Sequence, residues 1–372
     1  MSKKQIGIVG WRGMVGSVLL ERMREEDDLS HFDPLFLSTS QAGGKGPKIN
    51  ASETILGDAY DLETLQGLDI IISCQGSDYT GKVHPELRAK GWNGFWIDSA
   101  SKLRNEPSSV LLLDPVNRDV IDKAIAEGKK DLIGANCTVG TMLMGLAGLF
   151  KAGLVESANP STYQAVSGAG SKHVIELLKQ FDSVGDKLHD DLANPAKSIL
   201  EIDKKASEHL RSGNLPSSEF GYPIAGNILP WIDSEMDNGQ SREEYKAQIE
   251  TNAILGFKPD EIIVDGTCVR VGSLRSHAQA VMLKLKDDRP VEELEEIISS
   301  AHEWIRFVPN TKDDTLRNLT PVSISGSLEI AVGRLRKLNN GPGFINIFVV
   351  GDQLLWGAAE PLRRALGIVK SL

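Results

Sequence analysis

Short apolar runs alternate with helical patterns through the first third of the chain. The runs cover residues 6–9, 35–37, 69–73, 95–98, 110–113 and 132–135. Nearly continuous apolar runs such as the one with Ile70, Ile71 and Ile72 are typical of strands buried on both faces of a parallel sheet. Because these strands alternate with helices, the pattern predicts an α/β domain with a doubly wound sheet.

A different pattern follows beyond residue 150. Apolar residues alternate with polar ones in three strand-like segments, 161–166, 268–271 and 278–285, and a shorter segment lies at 262–264. Helical stretches are predicted from residue 172 to about 180 and within 183–211. These features predict an α+β unit with a largely antiparallel sheet.

The chain closes on an amphipathic stretch that we expect to pack back on the first domain. We therefore expect the first domain to comprise residues 1–135 together with a C-terminal helix at 357–372, and the second to comprise residues 136–356. A length of 372 residues agrees with about two domains, at the usual ~150 residues each.

A glycine turn joins the first apolar run to the first helical stretch. Its glycines are Gly10, Gly13 and Gly16, and Arg12, Met14 and Val15 lie between them. In a Rossmann-like domain, glycines at such a turn allow a tight bend and close approach of the backbone to a pyrophosphate. The following helix would offer its free N–H groups to the phosphate. Such turns also occur for packing reasons alone.

The segment after the second run bears on the choice of cofactor. It reads Ser38-Thr39-Ser40-Gln41, without the carboxylate that usually holds the ribose 2′-hydroxyl of NAD. Hydroxyl groups near Arg12 favour the 2′-phosphate of NADP, although a plain polar loop would look the same.

Two further loops are candidates for contact with a ligand. Gln75 follows the 69–73 run, at the carboxyl edge where open α/β sheets bind ligands. A second glycine-rich turn, Ser167-Gly168-Ala169-Gly170, precedes the helical stretch at 172. It can lie against a cofactor or substrate, and flexibility without function explains it equally well.

Cys137 lies between a strand-like segment and the apolar run 142–150. This order places the thiol at the N-terminus of a buried helix, where the helix dipole favours the nucleophilic thiolate. The alternative is a buried, inert cysteine.

Arg270 and His277 lie on the strand-like segments of the second half. A spacing of seven residues would place them on opposite faces of one strand, but Gly272-Ser273 predicts a break. The pattern alone therefore leaves open whether they converge.

Composition excludes several classes of protein. The 41 basic and 51 acidic residues give a net charge of −10, which disfavours nucleic acid and anionic membranes as partners. No apolar run approaches ~20 residues, and we expect neither a signal peptide nor a membrane span. Three widely spaced cysteines favour a reducing cytoplasm, and the seven histidines show no metal-ligand spacing.

Six ordered motifs together resemble the aspartate-β-semialdehyde dehydrogenases of bacterial type. They are GWRGMVGS (10–17), NCTV (136–139), TYQAVSGAG (162–170), DNGQSREEYK (237–246), VRVGSLRSH (269–277) and GDQLLWGAAEPLRR (351–364). The resemblance spans essentially the whole chain. It departs at Ala169, in a turn that is often all glycine in the family, and at 140–141, where the family varies.

This resemblance implies a Rossmann-like NADP-binding domain and a catalytic and dimerisation domain in a cytoplasmic homodimer. The implied reaction is the reversible conversion of 4-phospho-L-aspartate into L-aspartate 4-semialdehyde and inorganic phosphate. In the cell it would run reductively, towards lysine, methionine and threonine.

The resemblance also implies roles for the reacting groups. Cys137 would attack the aldehyde carbon, and the resulting thiohemiacetal would give up hydride and become a thioester for phosphate to attack. His277 would serve as the acid and base, taking the thiol proton and handling the proton on the hemithioacetal oxygen. Asn136 and Gln164 would orient the reacting groups.

Charged residues complete the implied site. Arg270 would bind the substrate α-carboxylate and Glu243 would meet the α-ammonium. Gln164 would also contact the substrate, and Arg104 and Lys246 would bind phosphate. Two anions in one cleft require several cations. The expected cofactor contacts are Gly10, Arg12, Gly13, Met14, Val15, Thr39, Ser40, Gln75, Ser167, Gly168, Ala169, Gly170 and Gln353.

Three other functions are compatible with parts of the pattern. One is a related phosphorylating enzyme such as an N-acetyl-glutamyl-phosphate reductase, which should not need a carboxylate for a free ammonium. Another is an NADP-binding redox sensor without turnover. The third, a cysteine hydrolase, leaves the glycine turn without a purpose.

Overall fold

The computed structural model describes residues 3–49 and 52–372. Positions 1, 2, 50 and 51 of the predicted first domain lie outside the described residues. The strands are β1 (Lys4–Val9), β2 (Phe32–Ser38), β3 (Lys45–Ile49), β4 (Ser52–Ile55), β5 (Gly57–Asp58), β6 (Ile70–Ser73), β7 (Phe95–Asp98), β8 (Ser109–Leu112), β9 (Asp131–Gly134), β10 (Val155–Gln164), β11 (Ile228–Leu229), β12 (Ile263–Val264), β13 (Thr267–Val271), β14 (His277–Leu285), β15 (Ile305–Val308), β16 (Ile330–Lys337) and β17 (Phe344–Gly351). The helices are α1 (Met14–Glu25), α2 (Leu62–Gln66), α3 (Ser77–Ala89), α4 (Asp114–Ala126), α5 (Cys137–Lys151), α6 (Ser171–Ala193), α7 (Ile199–Arg211), α8 (Arg242–Ile254), α9 (Val291–Ser299), α10 (Lys312–Asn318), α11 (Pro321–Ile324) and α12 (Glu360–Lys370).

The first sheet is parallel throughout, in the order β5-β2-β1-β6-β7-β9-β8. Successive side chains of β6 point to opposite faces. Ile72 packs in one cluster with Leu19 of α1 and Leu362 of α12, whereas Ile71 packs in another with Val83 of α3. Helices therefore cover both faces, and the predicted doubly wound α/β sheet is confirmed.

The second sheet has the order β11-β13-β10-β14-β17-β16-β15, and β12 pairs with β10. Four pairings are antiparallel, as predicted, while β10–β12, β10–β13 and β15–β16 are parallel. Val281 and Val349 share a core cluster with Leu146 of α5, so α5 covers one face. On the other face Tyr163 is 40% exposed and stacks on Phe348, with 6.2 Å between ring centroids.

Helix α5 brings the N-terminal domain and the second sheet together. It follows β9 of the first sheet after a two-residue turn, and nearly all of its side chains are buried. The predicted helix N-terminus at Cys137 is confirmed, because this residue is the first of α5 and Asn136 is its N-cap.

The C-terminal helix returns to the first domain, as expected. Contacts of α12 with α1, α4, β7 and β9 seat it on the parallel sheet. The regular helix begins at Glu360 rather than at 357, because a π-helical turn, Leu355–Ala359, precedes it. Buried Glu360 accepts hydrogen bonds from Arg22 of α1 and from Arg363.

Other element boundaries differ from the prediction. The helix predicted at 172–180 extends over Ser171–Ala193, because its apolar face continues and α7 packs against it. Strands of the first sheet lie before residue 135 and those of the second between 155 and 351. The predicted domain limits at 136 and 357 stay a prediction. Among the described residues, no helix is both long and apolar enough to span a membrane.

We predict that Leu362→Ala destabilises the fold by roughly 2–5 kcal/mol, because the leucine is fully buried where α12 meets the sheet. Urea unfolding measures the loss. Leu316→Ala is the control, since this leucine of α10 is 64% exposed and its truncation should cost less than about 0.5 kcal/mol. Equal losses in the two variants would contradict the docking of α12.

Candidate active site

A cleft of about 920 Å³ lies where the N-terminus of α5 meets the second sheet. Both halves of the chain contribute to its wall. The sequence-predicted residues that line it are Val15, Arg104, Asn136, Cys137, Gln164, Ser167, Gly168, Ala169, Glu243, Lys246, Arg270 and Gln353.

The turn before Cys137 is fixed by its own side chain. Asn136 Oδ1 accepts the backbone N–H groups of Thr138 (2.9 Å) and Val139 (3.2 Å), which caps α5. Asn136 Nδ2 donates to Glu243 Oε1 at 3.0 Å. The side chain is therefore occupied in positioning the turn, and its orienting role in the reaction stays a prediction.

Cys137 and His277 are in direct contact, with 3.3 Å between Sγ and Nε2. The other ring nitrogen, Nδ1, accepts the backbone N–H of Ala165 at 3.1 Å. A neutral imidazole carries one proton, so Nε2 must bear it and face the sulfur as a donor. This arrangement is compatible with the acid half of the predicted role, which stays a prediction. The base half stays a prediction, because it requires the Ala165 contact to open.

Arg270 and His277 converge because two separate strands carry them. Arg270 lies in β13 and His277 begins β14, so the predicted break at 272–273 is confirmed. Ser276 adopts a left-handed conformation (φ 71°) as the chain re-enters the sheet.

Gly168 allows the second glycine turn to lie against both side chains. A Cβ there would stand 3.0 Å from His277 Cε1 and 3.1 Å from Arg270 Nη1. The turn is pinned by hydrogen bonds from Val166 and Ser167 N–H groups to the carbonyls of 273 and 274. Close packing, rather than free flexibility, explains this glycine.

Arg270 is a buried cation that faces the cleft. Its Nη1 donates to the carbonyl of Ala165 at 2.7 Å, and only 7% of the residue is exposed. It forms no ion pair with a carboxylate in the described part of the chain. A buried charge needs a partner, so this guanidinium suits an anionic ligand.

Helix α8 contributes a charged face to the cleft. A capping box of Ser241 and Glu244 starts this helix, and Glu243 and Lys246 lie one turn apart on it. Lys246 Nζ contacts Glu243 Oε2 at 3.0 Å and Asp233 Oδ2 at 2.7 Å. Burial opposes ionisation of both groups, but Lys246 holds the pKa of Glu243 below its usual range, and Glu243 and Asp233 raise the pKa of Lys246.

Burial governs the protonation of the reacting pair. It raises the pKa of Cys137 to about 11, the charge of Glu243 adds to this effect, and Arg270 and other cations oppose it. Burial and Arg270 hold the pKa of His277 well below its usual range. The thiol and imidazole are therefore both neutral near pH 7. The stabilisation of thiolate expected at a helix N-terminus is opposed by burial.

The first glycine turn has the close approaches that a dinucleotide site requires. Gly10 has a positive φ of 77°, and a Cβ on Gly16 would lie 2.2 Å from the carbonyl oxygen of Gly10. Met14 and Val15 begin α1, where backbone N–H groups are free. Glycine is therefore required at position 10 by its positive φ and at position 16 by the lack of space for a Cβ.

Comparisons with family models and with solved structures agree with this geometry. A family model described as "Semialdehyde dehydrogenase, NAD binding domain" matches residues 5–124, and one described as "Semialdehyde dehydrogenase, dimerisation domain" matches residues 146–356. Aspartate semialdehyde dehydrogenase from Francisella tularensis is 48% identical, with a TM-score of 0.94, and the alignment covers 99% of this chain and 100% of that one.

The chain belongs to the semialdehyde dehydrogenase family.

Two other solved structures of the family are more distant. Aspartate semialdehyde dehydrogenase II from Vibrio cholerae, complexed with ASA, is 25% identical with a TM-score of 0.79 and full coverage of both chains. The Candida albicans enzyme with NADP is 18% identical with a TM-score of 0.65, covering 100% of this chain and 99% of that one, and it shows the fold alone.

The predicted cofactor residues of this semialdehyde dehydrogenase fall into two groups. Val15, Ser167, Gly168, Ala169 and Gln353 line the cleft that holds Cys137. The others are not part of its lining: seven lie at the carboxyl ends of β1, β2 and β6, and one is the N-cap of α6. They are Gly10, Arg12, Gly13, Met14, Thr39, Ser40, Gln75 and Gly170.

The side chains of Arg12 and Gln353 form hydrogen bonds within the protein. Arg12 donates to Gln41, which places the guanidinium beside the hydroxyl segment after β2. Gln353 accepts the N–H of Ser276 at 2.8 Å and donates to Ser167. Gln353 therefore ties the second turn to the strand that begins with His277.

The structure also contains site residues that the sequence analysis missed. Asp233 pairs with Lys246, Glu250 contacts Arg104, and Gly357 lies against Cys137, where a Cβ would stand 2.8 Å from the cysteine Cα. Glu250 follows Glu243 by two helical turns, so the helical period could have indicated it. Asp233 and Gly357 have no comparable local signal.

We predict that Glu243→Gln accelerates alkylation of Cys137 by iodoacetamide near pH 8. Removing the negative charge lowers the thiol pKa, and each unit of that fall raises the thiolate fraction about tenfold. In the parent protein, a pKa of about 11 means that the alkylation rate rises about tenfold per pH unit between about 7 and 9.

The matched control is Glu295→Gln, an exposed glutamate of α9, which should leave the rate unchanged. An alkylation rate in Glu243→Gln equal to that of the parent would show that the Glu243 charge does not act on the thiol.

Proposed function

We propose that this member of the semialdehyde dehydrogenase family interconverts L-aspartate 4-semialdehyde and 4-phospho-L-aspartate. The oxidative direction consumes inorganic phosphate and NADP⁺, and the biosynthetic direction consumes NADPH and leads towards lysine, methionine and threonine. The contact of Cys137 Sγ with His277 Nε2 at 3.3 Å carries the proposal, because Cys137 lines a cleft together with the three cations Arg104, Lys246 and Arg270. The family and the 48% identical enzyme from Francisella tularensis support it.

The proposed reaction begins with covalent attack by Cys137. The thiol proton first passes to His277 Nε2, which can accept it once the ring proton lies on Nδ1 and the Ala165 contact has opened. The thiolate then forms a C–S bond to the aldehyde carbon, and the carbonyl electron pair moves to oxygen. The proton on His277 Nε2 faces this region and stabilises the developing oxyanion. The bound NADP⁺ supplies the acceptor for the hydride that leaves this carbon. A thioester on Cys137 then accepts a phosphate oxygen, and the C–S bond breaks to return the thiolate.

Cations in the cleft account for the two anionic groups of the reaction. We assign the substrate α-carboxylate to Arg270, whose guanidinium is buried without a carboxylate partner. The α-ammonium is assigned to Glu243, with Gln164 beside it, since Gln164 Nε2 lies 3.4 Å from Glu243 Oε1. Inorganic phosphate is assigned to Arg104 and Lys246, which line the same cleft.

NADP, rather than NAD, is the proposed cofactor. The tight turn at Gly10 and Gly16 leads into α1, whose free N–H groups would bind a pyrophosphate, and the family model for this domain is an NAD-binding one. Arg12 beside Thr39 and Ser40 supplies a positive charge and hydroxyl groups for a 2′-phosphate.

A cytoplasmic homodimer completes the proposal. The match of residues 146–356 to the dimerisation domain of the family supports self-association. All three cysteines are unpaired, which fits a reducing compartment.

The alternative of an N-acetyl-glutamyl-phosphate reductase receives less support. Glu243 is buried in the cleft and held ionised by Lys246, so it can pair with a free substrate ammonium. An acetylated amine carries no charge to offset it. Assay of both aldehydes with NADP⁺ and phosphate separates the two functions, and a preference for the acetylated aldehyde would overturn the substrate assignment.

We predict that Cys137→Ala lowers kcat by at least about a thousandfold, because no other group can form the thioester. NADP⁺ affinity, measured by fluorescence titration, should stay close to that of the parent. Cys268→Ala is the control, since this buried thiol does not contact His277 in the described residues. Mass spectrometry of quenched enzyme should show an acylated Cys137 peptide, and product formation without that adduct would contradict covalent catalysis.

We predict that Arg270→Lys raises the KM for the semialdehyde about tenfold or more and changes the phosphate KM little. A lysine supplies a point charge but not the two parallel donors of a guanidinium. Arg118→Lys, at an exposed position of α4, is the matched control. Steady-state kinetics with each substrate varied in turn measures both constants, and an unchanged semialdehyde KM would refute the assignment of Arg270.

A further inference from the structure

Glu250 of α8 is a buried carboxylate that the proposed reaction does not use. Only 2% of the residue is exposed. Its Oε2 accepts the backbone N–H of Asn136 at 2.6 Å, and its Oε1 accepts Nη1–H of Arg104 at 3.1 Å. One carboxylate therefore joins the residue before the nucleophile to a cation assigned to phosphate.

Three acceptors fix the Arg104 guanidinium in place. Nε donates to the carbonyl of Gly134 at 2.9 Å, Nη2 to the carbonyl of Ser99 at 3.3 Å, and Nη1 to Glu250. A guanidinium has five N–H groups, so one on Nη1 and one on Nη2 have no acceptor among these three. Arg104 lines the cleft, so these two N–H groups are left to donate to the oxygens of a bound phosphate.

Glu250 acts on the nucleophile through the backbone. Asn136 immediately precedes Cys137, so the 2.6 Å contact to its N–H fixes the entry of the chain into α5. Glu243, seven residues earlier on the same face of α8, holds the Asn136 side chain. The two glutamates hold the turn from two sides, one through the main chain and one through the side chain.

We propose that Glu250 is a positioning residue that sets the place of bound phosphate relative to Cys137. The inference rests on the proposed function, because Arg104 is assigned to phosphate there. Both carboxylate oxygens are engaged, so Arg104 and the Asn136 backbone are held at a fixed separation. In this way α8 aligns the phosphate with the carbon of the thioester, and a small misplacement in such an alignment lowers the rate strongly.

Glu250→Gln tests the role with almost no change in shape. The amide keeps one acceptor oxygen but has neither the charge nor a second acceptor, so it cannot hold both partners. We expect the KM for phosphate to rise about tenfold or more and kcat to fall. The KM for the semialdehyde should change by less than about twofold, because Arg270 does not contact Glu250. Glu295→Gln, exposed on α9, is the matched control.

A second measurement does not depend on turnover. Inorganic phosphate bound at Arg104 should shield Cys137 from iodoacetamide, and the half-protecting phosphate concentration should rise about tenfold or more in Glu250→Gln. If the parent protein shows no activity with the semialdehyde, the proposed function fails, while the protection assay still reports on Glu250.

Circular dichroism and thermal melting show whether Glu250→Gln folds. If it does not fold, Glu250→Asp is the test variant. Aspartate keeps the charge but is too short to span both partners, so it should also raise the half-protecting concentration. An equal rise in KM for phosphate, semialdehyde and NADP⁺ would indicate a purely structural residue and overturn the proposal. An unchanged half-protecting concentration in a folded variant would overturn it as well.

Discussion

The contact between Cys137 Sγ and His277 Nε2 is the constraint that the site depends on. The two residues are 140 positions apart and reach 3.3 Å because α5 begins at one and β14 begins at the other. The N-cap of α5 fixes the cysteine, and the Ala165 N–H fixes the imidazole. Hydrogen bonds between a side chain and backbone N–H groups therefore position both partners.

Charge balance in the cleft follows from the burial of this pair. A thiol in an apolar setting resists ionisation, and Glu243 strengthens that resistance. Arg104, Lys246 and Arg270 act in the opposite direction. An anionic ligand bound to these cations would neutralise some of their charge, so its binding and thiol ionisation would be coupled through the same few groups.

The sequence predicts the elements well where the physical signal is local. Continuous apolar runs mark the buried strands of the parallel sheet, and the apolar run after Cys137 marks α5. The tight turn at Gly10 and Gly16 is also predicted from the sequence, because glycine is the residue type that allows the backbone to approach this closely. The six ordered motifs, through the family resemblance, assign distant residues to one site, which no single local pattern could do.

Contacts between residues that are far apart in the chain cannot be predicted from such local patterns. The parallel pairing of β10 with β13 is set by connections through α8, so alternation of side chains does not reveal it. The acceptor role of His277 Nδ1 depends on a backbone N–H 112 residues away. Glu250 has a helical spacing that relates it to Glu243, but its partners, Arg104 and Asn136, lie on other elements.

The absence of a side chain at Gly357 has a consequence for the shape of the reaction centre. Gly357 lies in the π-helical turn before α12, and its backbone packs directly against Cys137. Any larger residue would act as a wedge between them and tilt the start of α5. The shape of the reaction centre is thus sensitive to a residue 220 positions downstream, in the turn that leads directly into α12.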